Sequence, residues 1–406
     1  MWFVYIILII LILFILFYGY VRCVFKFWSI QPVFHVYNIF YWLFPPGIID
    51  HSLPSKNKYT NLFNIKSYDL ITNDIKHDFV DLINNHYFRF NNVHYNPKME
   101  NIIPYFNGHN LPCFYSFYYD DLYTNNININ NITDISCNSI KKTPKMIGSI
   151  TGRPLYVELM NKKITAYYID FLCVDENRRG QGIAPELIQT YEYNQRHNNK
   201  DVDVCIFKKD TDLTGIVPIT IYMNYMFNIL RWKKPKKIHS SFSVLKINEN
   251  NIHFVYDYIY NYKFLFKLRM YPHLSNIIEL LKTNNLHIYT ITQNKNIIGI
   301  YFFRNATTIY NNFQILEFFA SIYCYKNTKY NNKFKDTFIY GFHKSMFQCF
   351  KQHNYKYIII ENISHNNIII DEIIKTHTPM FVSPSAFYFY NFGMTPYFSN
   401  DVFALY

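Results

Sequence analysis

The chain has 406 residues, half of them apolar, which exceeds the ~250–300 residues at which a single core usually stops growing; two packed domains or one duplicated fold are expected. Its formal charge of +12 admits nucleic acid, an acidic membrane surface or a phosphorylated cofactor, but basic residues cluster only once, in RWKKPKKIH (231–239), which reads as a solvated loop, so nucleic acid is not expected. The cysteines, Cys23, Cys113, Cys137, Cys173, Cys205, Cys324 and Cys349, are odd in number and scattered without a CxxC pair, which argues for a reducing compartment and against a metal site or a disulfide framework.

In chain order, the first feature is the run from Trp2 to Val21, which contains no charged side chain. About 20 apolar residues match the hydrocarbon thickness of a bilayer. The basic n-region, shorter apolar run and small-residue cleavage site of a secretory signal are absent, so residues 1–22 are expected to form an uncleaved single-pass anchor. Arg22 and Lys26 follow the run, which places the remainder in the cytoplasm by the positive-inside tendency. The sequons at Asn131, Asn305 and Asn362 would then stay unmodified. A buried or interfacial hairpin helix is the alternative.

Pro45, Pro46 and Gly47 mark a turn. The spacing of Ile71, Ile75, Phe79, Leu82 and Ile83 predicts an amphipathic helix over 71–84. The stretch NNININNITD (125–134) is a polar insertion without a packing face. Strands are predicted in KMIGSITGRPLYVEL and KKITAYYIDFLCV, separated by a turn at Asn161-Lys162-Lys163, then a helix over 185–198 and a strand in VDVCIF. Beyond Lys233 the same grammar returns: SFSVLKI, HIYTIT, NIIGIYFF and LEFFASIYCY as strands, a helix over 333–350, then KYIIIENI, FYFYNFGM and DVFALY. This order suggests two pseudo-symmetric α/β lobes, 23–232 and 233–406, with a mixed sheet.

The most informative stretch is DFLCVDENRRGQGIAPELIQ (170–189). Ala166 to Val174 is too apolar for an edge strand, and Cys173 within it reads as a small core residue. A polar turn follows, in which Gly180 and Gly182 allow positive φ and close approach of a ligand. Pro185 suits the first helical position. Main-chain N–H groups at this helix start, with Arg178 and Arg179, make an anion cradle suited to a pyrophosphate. The turn lacks the Gly-Lys-Ser/Thr of a Walker loop and the first glycine of GxGxxG.

The R-x-x-G-x-A turn resembles the acyl-CoA pyrophosphate loop of the GNAT acyltransferases. More closely, IDFLCVDENRRGQGIAPELI is similar to the glycylpeptide N-myristoyltransferase hallmark I-N-F-L-C-V-H-K, six residues, V-A-P-x-L-I, keeping Ile169, Phe171, Leu172, Cys173, Val174, Ala184, Pro185, Leu187 and Ile188 without a gap. FKFWSIQPV (25–33) resembles the family's Y-x-F-W-x-T-Q-P-V, and FYFYNFGM (387–394) its Y-Y-L-Y-N-W.

The resemblance implies a duplicated GNAT-like α/β fold and a fatty acyl-CoA, myristoyl-CoA in the family, as co-substrate rather than a tightly bound cofactor. The CoA end would be held by Lys26, Phe27, Trp28, Cys173, Val174, Arg178, Arg179, Gly180, Gln181, Gly182, Ile183, Ala184 and Pro185. The main-chain N–H groups of Phe171 and Leu172 would stabilise the oxyanion of the attacked thioester. The acceptor is an amino-terminal glycine, mostly protonated near neutrality with a pKa of ~7.7–8.0. Its proton would pass to the terminal carboxylate, which is Tyr406 here; the apolar VFALY ending favours its burial. Acyl length would be read by tunnel depth, at ~0.8 kcal/mol per CH₂. A monomer is expected.

Three departures concern the acceptor side. The family's acidic run before F-R-F is Asn84, Asn85 and His86; its K-F-G-x-G-D-G is PMFVSPS (379–385); and its Y-W-H-R-S-L-N is YMNYMFN (222–228), with Asn224 in place of the histidine. The loop also carries Gln181 and Gly182 where the family has two cations. An acyl-CoA-binding membrane protein with a changed acceptor or lost catalysis is the alternative reading.

Overall fold

The computed structural model describes residues 2–90, 93–120, 144–159, 162–210, 215–230, 232–235, 239–261, 263–325, 334–352 and 355–406. The polar insertion 125–134, Cys137, Asn161, Arg231 and the tip of the basic run (236–238) lie outside the described residues. The apolar run forms α1 (Trp2–Val24), the one described helix long and apolar enough to cross a bilayer; it buries only Val21. The Phe25 N–H continues its ladder to Val21, and a 3₁₀ turn at Trp28–Ile30 follows without a linker.

Next come α2 (Phe40–Leu43), β1 (Gly47–Ile48), β2 (Ile65–Tyr68) and α3 (Asn73–His86). Helix α3 starts and ends two residues later than its periodicity predicts, because Thr72 is extended at its N-cap; it buries Phe79, Val80, Leu82 and Ile83. β3 (Arg89–Phe90), β4 (Val93–Tyr95), α4 (Met99–Ile102) and β5 (Phe114–Asp120) lead to β6 (Lys145–Leu159) and β7 (Lys162–Val174). Helix α5 (Ile183–Asn198) begins two residues earlier than expected, so Pro185 is its third residue and Gly182 its N-cap. Pro185 still lies in the first turn, where no N–H is needed.

β8 (Val204–Asp210), β9 (Thr220–Asn228), β10 (Phe242–Ile247), α6 (Ile252–Asn261), β11 (Leu268–Tyr271), α7 (Leu274–Lys282), β12 (Leu286–Gln293) and β13 (Asn296–Tyr310) follow. The chain then runs through β14 (Phe313–Tyr323), α8 (Lys335–Gln352), β15 (Tyr355–Glu361), α9 (Asn366–Ile373), β16 (Phe381–Tyr390), β17 (Phe392–Gly393) and β18 (Val402–Ala404).

One mixed sheet takes up 16 strands; its main path runs β10-β12-β13-β14-β15-β9-β16-β8-β7-β6-β11-β18. β5–β6–β7 are antiparallel neighbours and β7–α5–β8 closes a parallel pair; β12–β13–β14 and β14–α8–β15 repeat that pattern. Strands from both sides of Lys233 alternate along the sheet, with β16 between β9 and β8. Helix α5 lies over Gly152, where an added Cβ would collide with the Tyr191 hydroxyl, so glycine sets how closely helix and sheet approach.

Two irregularities open the sheet beside the 170–189 stretch. The β6–β7 register jumps between Ser149 and Thr151, so that Phe171 and Leu172 bulge out of the ladder, and Phe171 takes a positive φ of 49°. The parallel β7–β8 pairing ends at Ile169 and Phe207, while β8 continues beside β16 to Asp210. Asp170–Val174 and Lys208–Asp210 therefore line the two arms of a split.

Candidate functional site

At one end of the split stands the glycine turn. Asp175, buried, accepts the Asn177 N–H at 3.0 Å and so starts a tight turn at Glu176–Arg178. Gly180 and Gly182 have φ of 80° and 84°, and a Cβ at either would meet nothing within 4 Å; conformation rather than crowding demands glycine. Gln181 is exposed between them, and Ile183 seats the first turn of α5 in the core, with Ala184 and Pro185 half-buried.

The two arginines are anchored. Arg178 pairs with Asp120, whereas Arg179 donates to the Val174 carbonyl at 3.3 Å and to the His86 carbonyl. His86, at the position of the missing acidic run, belongs to the same turn: its Nδ1 accepts the Glu176 N–H at 3.2 Å and its Nε2 lies 3.6 Å from Asp175. Burial lowers its pKa, against the pull of Asp175.

The sequence islands converge. Trp28 stacks on Phe207 with centroids 5.8 Å apart, and Phe207 on Tyr388 at 5.2 Å. Phe27 packs on Tyr59; Asn61, two residues on, donates to Glu186 in the first turn of α5 at 2.7 Å. Lys26 is exposed, and its carbonyl accepts the Ser29 hydroxyl. Gln31 donates to Gln189 at 3.1 Å and accepts from the Tyr390 hydroxyl at 2.6 Å, which also donates to buried Glu192. Burial pushes Glu192 up to about 7 against that hydrogen bond.

In the bulge, Leu172 is 39% exposed, while the Phe171 ring is buried against Phe79, Tyr87 and Phe106. The Phe171 N–H points at Asp170 Oδ1, 2.9 Å away, and Asp170 Oδ2 accepts from buried Arg153 at 2.9 Å. Burial pushes the Cys173 thiol up to about 12, which fits a core residue rather than a nucleophile.

Across the split lies a polar cluster of which the sequence analysis named only Tyr406. Tyr406 is 7% exposed, and its ring packs on Tyr168 of β7 with centroids 5.1 Å apart. Its main-chain oxygen accepts from Arg304 at 3.2 Å, and Arg304 is held by Glu317 through two bonds of 2.6 and 3.1 Å. Lys208 donates to Glu361 at 2.8 Å and to the Tyr406 hydroxyl at 3.1 Å. Burial opposes the Lys208 charge, but Glu361 beside it raises its pKa well above the usual value. Burial likewise opposes the Glu317 charge, and Arg304 holds its carboxyl below the ordinary range. The available clue was a charge set inside an apolar strand run, as in FFRNA, ILEFF and IIIEN.

Two of the departures touch each other here. Asn224 donates to Ser385 at 2.6 Å, and Ser385 donates to Asp210, which lies 3.8 Å from Lys208. A cavity of about 540 Å³ between Trp42, Pro218, Ile221 and Phe398 is lined by none of the sequence-predicted site residues.

Comparison with known proteins fits this geometry. Residues 67–220 match the family model for the N-terminal domain of myristoyl-CoA:protein N-myristoyltransferase. A protein of Amsacta moorei entomopoxvirus, provisionally named a glycylpeptide N-tetradecanoyltransferase, is 24% identical over 242 residues, spanning 53% of this chain and 78% of that protein. The crystal structure of Saccharomyces cerevisiae N-myristoyltransferase with bound myristoyl-CoA superposes with a TM-score of 0.71 at 15% identity, covering 92% of this chain and 94% of that one. A second structure of the yeast enzyme with myristoyl-CoA gives 0.70 at 16% identity, over 92% and 89% of the two chains. The matched domain thus falls on the strand, turn and helix that form the split, and the chain has the fold of the yeast N-myristoyltransferase along most of its length.

Proposed function

We propose that the chain transfers a myristoyl group from myristoyl-CoA to the amine of an amino-terminal glycine, with the CoA pyrophosphate on the glycine turn and the thioester at the bulge. The observation that carries this reading is the placement of Phe171 and Leu172, out of the ladder, at the mouth of the β7–β8 split and directly before the α5 N-terminus. There the Leu172 and Phe171 N–H groups would meet the oxyanion, and the N–H groups at Gly180–Ile183 the pyrophosphate. Lys26, Phe27 and Trp28 would border the CoA, because Phe27 reaches the first turn of α5 through Tyr59 and Asn61.

The repeated strand-helix pattern supports two GNAT-like lobes, 23–232 and 233–406, which share one sheet. Exposure of all of α1 except its last turns supports a single-pass anchor with the body in the cytoplasm, Arg22 and Lys26 lying just beyond it. The test is a mass-spectrometric assay of the protein lacking residues 1–22, with myristoyl-CoA and a panel of peptides that begin with glycine. Retained myristoyl-CoA and an acylated α-amine are expected; binding without any product would refute transfer.

A second reading, an altered acceptor, is favoured by one observation: the replaced motifs are joined through Asn224, Ser385 and Asp210 beside Lys208. In that case product forms on a different amine, which mixed acceptors in the same assay would reveal.

A further inference from the structure

We infer that the segment 36–44 docks on the bilayer that α1 crosses, its apolar side chains seated at the boundary between headgroups and acyl chains. This rests on the single-pass anchor proposed above and extends it to the body. No Asp, Glu, Lys or Arg occurs between Lys26 and Asp50, a further uncharged run after α1. Its one histidine, His35, is buried and stacks on Tyr37 with centroids 4.9 Å apart. Unlike a core run of this composition, the segment turns apolar side chains outward: Ile39, Phe40, Trp42, Leu43 and Phe44 are exposed, Leu43 by 74%.

The outward set is fixed by what faces inward. Tyr41 lies against Gly393, where an added Cβ would come within 2.5 Å of its ring. Buried Phe34 packs on Tyr41 and Trp42 with centroids 5.5 and 5.1 Å apart. Phe40 stacks on Phe44 at 4.4 Å, and Trp42 Nε1 donates to the Val36 carbonyl at 3.2 Å, so its one polar side-chain atom is satisfied without water. Val36 and Trp42 also line the cavity of about 540 Å³ together with Ile221 and Phe398, both exposed, which carries the apolar surface on to the body. Soluble monomers rarely leave a contiguous apolar patch uncovered.

What covers this one follows from α1. The Tyr18 ring meets the Tyr37 ring edge to face at 4.9 Å, and Gly215, whose carbonyl accepts the Val36 N–H at 3.4 Å, lies against Val21 and Phe25. The apolar run of α1 ends at Val21, and about 20 residues fill the ~30 Å hydrocarbon core, so Tyr18, nearly one turn before that end, lies ~5 Å inside the boundary. A spanning α1 therefore carries Tyr37 to the same level and brings the exposed side of segment 36–44 to lipid rather than to water. Trp and Tyr at that level match the aromatic belt of membrane proteins. Arg22 stands over the Tyr18 ring at 5.2 Å, at the height of the lipid phosphates. Two contacts then fix the orientation of the body, and with it the proposed acyl-CoA end at Phe27 and Trp28, which the chain places between them.

The test is spin labelling of the full chain in phosphatidylcholine vesicles. Cys23→Ser and Cys137→Ser leave five cysteines, all buried, and one label is then attached at Leu43→Cys, Phe44→Cys or Ile10→Cys, the last reporting on α1. Saturation is measured against oxygen, which concentrates in hydrocarbon, and against a water-soluble nickel chelate. The labels at 43 and 44 should favour oxygen and lie ~5–10 Å into the headgroup boundary, with the label at 10 deeper. A label at 43 or 44 reached by nickel, while that at 10 sits in hydrocarbon, overturns the docking and leaves the anchor standing. Labels at 43 and 44 shielded from both reagents show a protein surface over the segment, a second copy or another chain, and overturn it as well. A label at 10 that is reached by nickel, or shielded from both reagents, overturns the anchor itself.

Discussion

Asp170→Asn tests how the bulge works. In the structure, the Phe171 N–H, an oxyanion donor in the proposed mechanism, is spent on the Asp170 carboxylate 2.9 Å away. A hydrogen bond to a charged group contributes ~1.5–3 kcal/mol and one to a neutral group ~0.5–1.5. Releasing the N–H toward a thioester oxygen should therefore cost ~1–1.5 kcal/mol less with Asn than with Asp, or ~5–10-fold in rate. Removing a negative charge beside a developing oxyanion acts in the same direction. The variant should also be less stable, because Arg153, 2% exposed, loses its counter-ion; loss of a buried partner costs ~3–5 kcal/mol, and the partial exposure of Asp170 puts this case at the lower end. Arg153 keeps its contacts with the Tyr105 and Tyr168 rings at 4.9 and 4.8 Å. Single-turnover acylation with saturating myristoyl-CoA, at a temperature where circular dichroism shows the variant folded, should give a faster chemical step. An equal or slower step in folded protein would refute the competition.

Glu192→Gln addresses stability against pH. The folded pKa of Glu192 is raised by burial to about 7 from an ordinary 4.5, so the native state binds the extra proton and stability falls as pH rises through this window. The variant should flatten the urea midpoint between pH 5 and 7 and, by ~3 kcal/mol at most, stabilise the protein above it; an unchanged slope would contradict this. Gly182→Ala places a side chain at a φ of 84°, a strain of ~1–2 kcal/mol, so KM for myristoyl-CoA should rise ~5–30-fold with kcat unchanged. Wild-type affinity by calorimetry would show that the turn does not hold the CoA.

The long strands were legible because β6 and β7 are near-continuous apolar runs, as interior strands must be, and the predicted limits of β6 coincide with the observed ones. The positive φ of Gly180 and Gly182 was legible for the same local reason. β9 was missed although it lies at the middle of the sheet: YMNYMFN alternates Asn with apolar residues and resembles a motif more than a strand. α7 and α9 were missed because nine and eight residues offer barely two turns of periodicity. The bulge at Phe171 was invisible, since it is a register shift against β6 and not a property of β7 alone. Lys208, Arg304, Glu317 and Glu361 come from four strands, and nothing in a linear reading brings them together.

The hydrogen bond between Gln31 and Tyr390 joins residues 359 positions apart, and the Asn391 N–H donates to the Pro32 carbonyl beside it. Such a contact has a temporal meaning. The segment carrying Phe27 and Trp28 is fastened by a strand more than 350 positions away, so closing that loop costs chain entropy that local contacts cannot offset, and the segment should dock late in folding, after the strands that carry Tyr390 have formed.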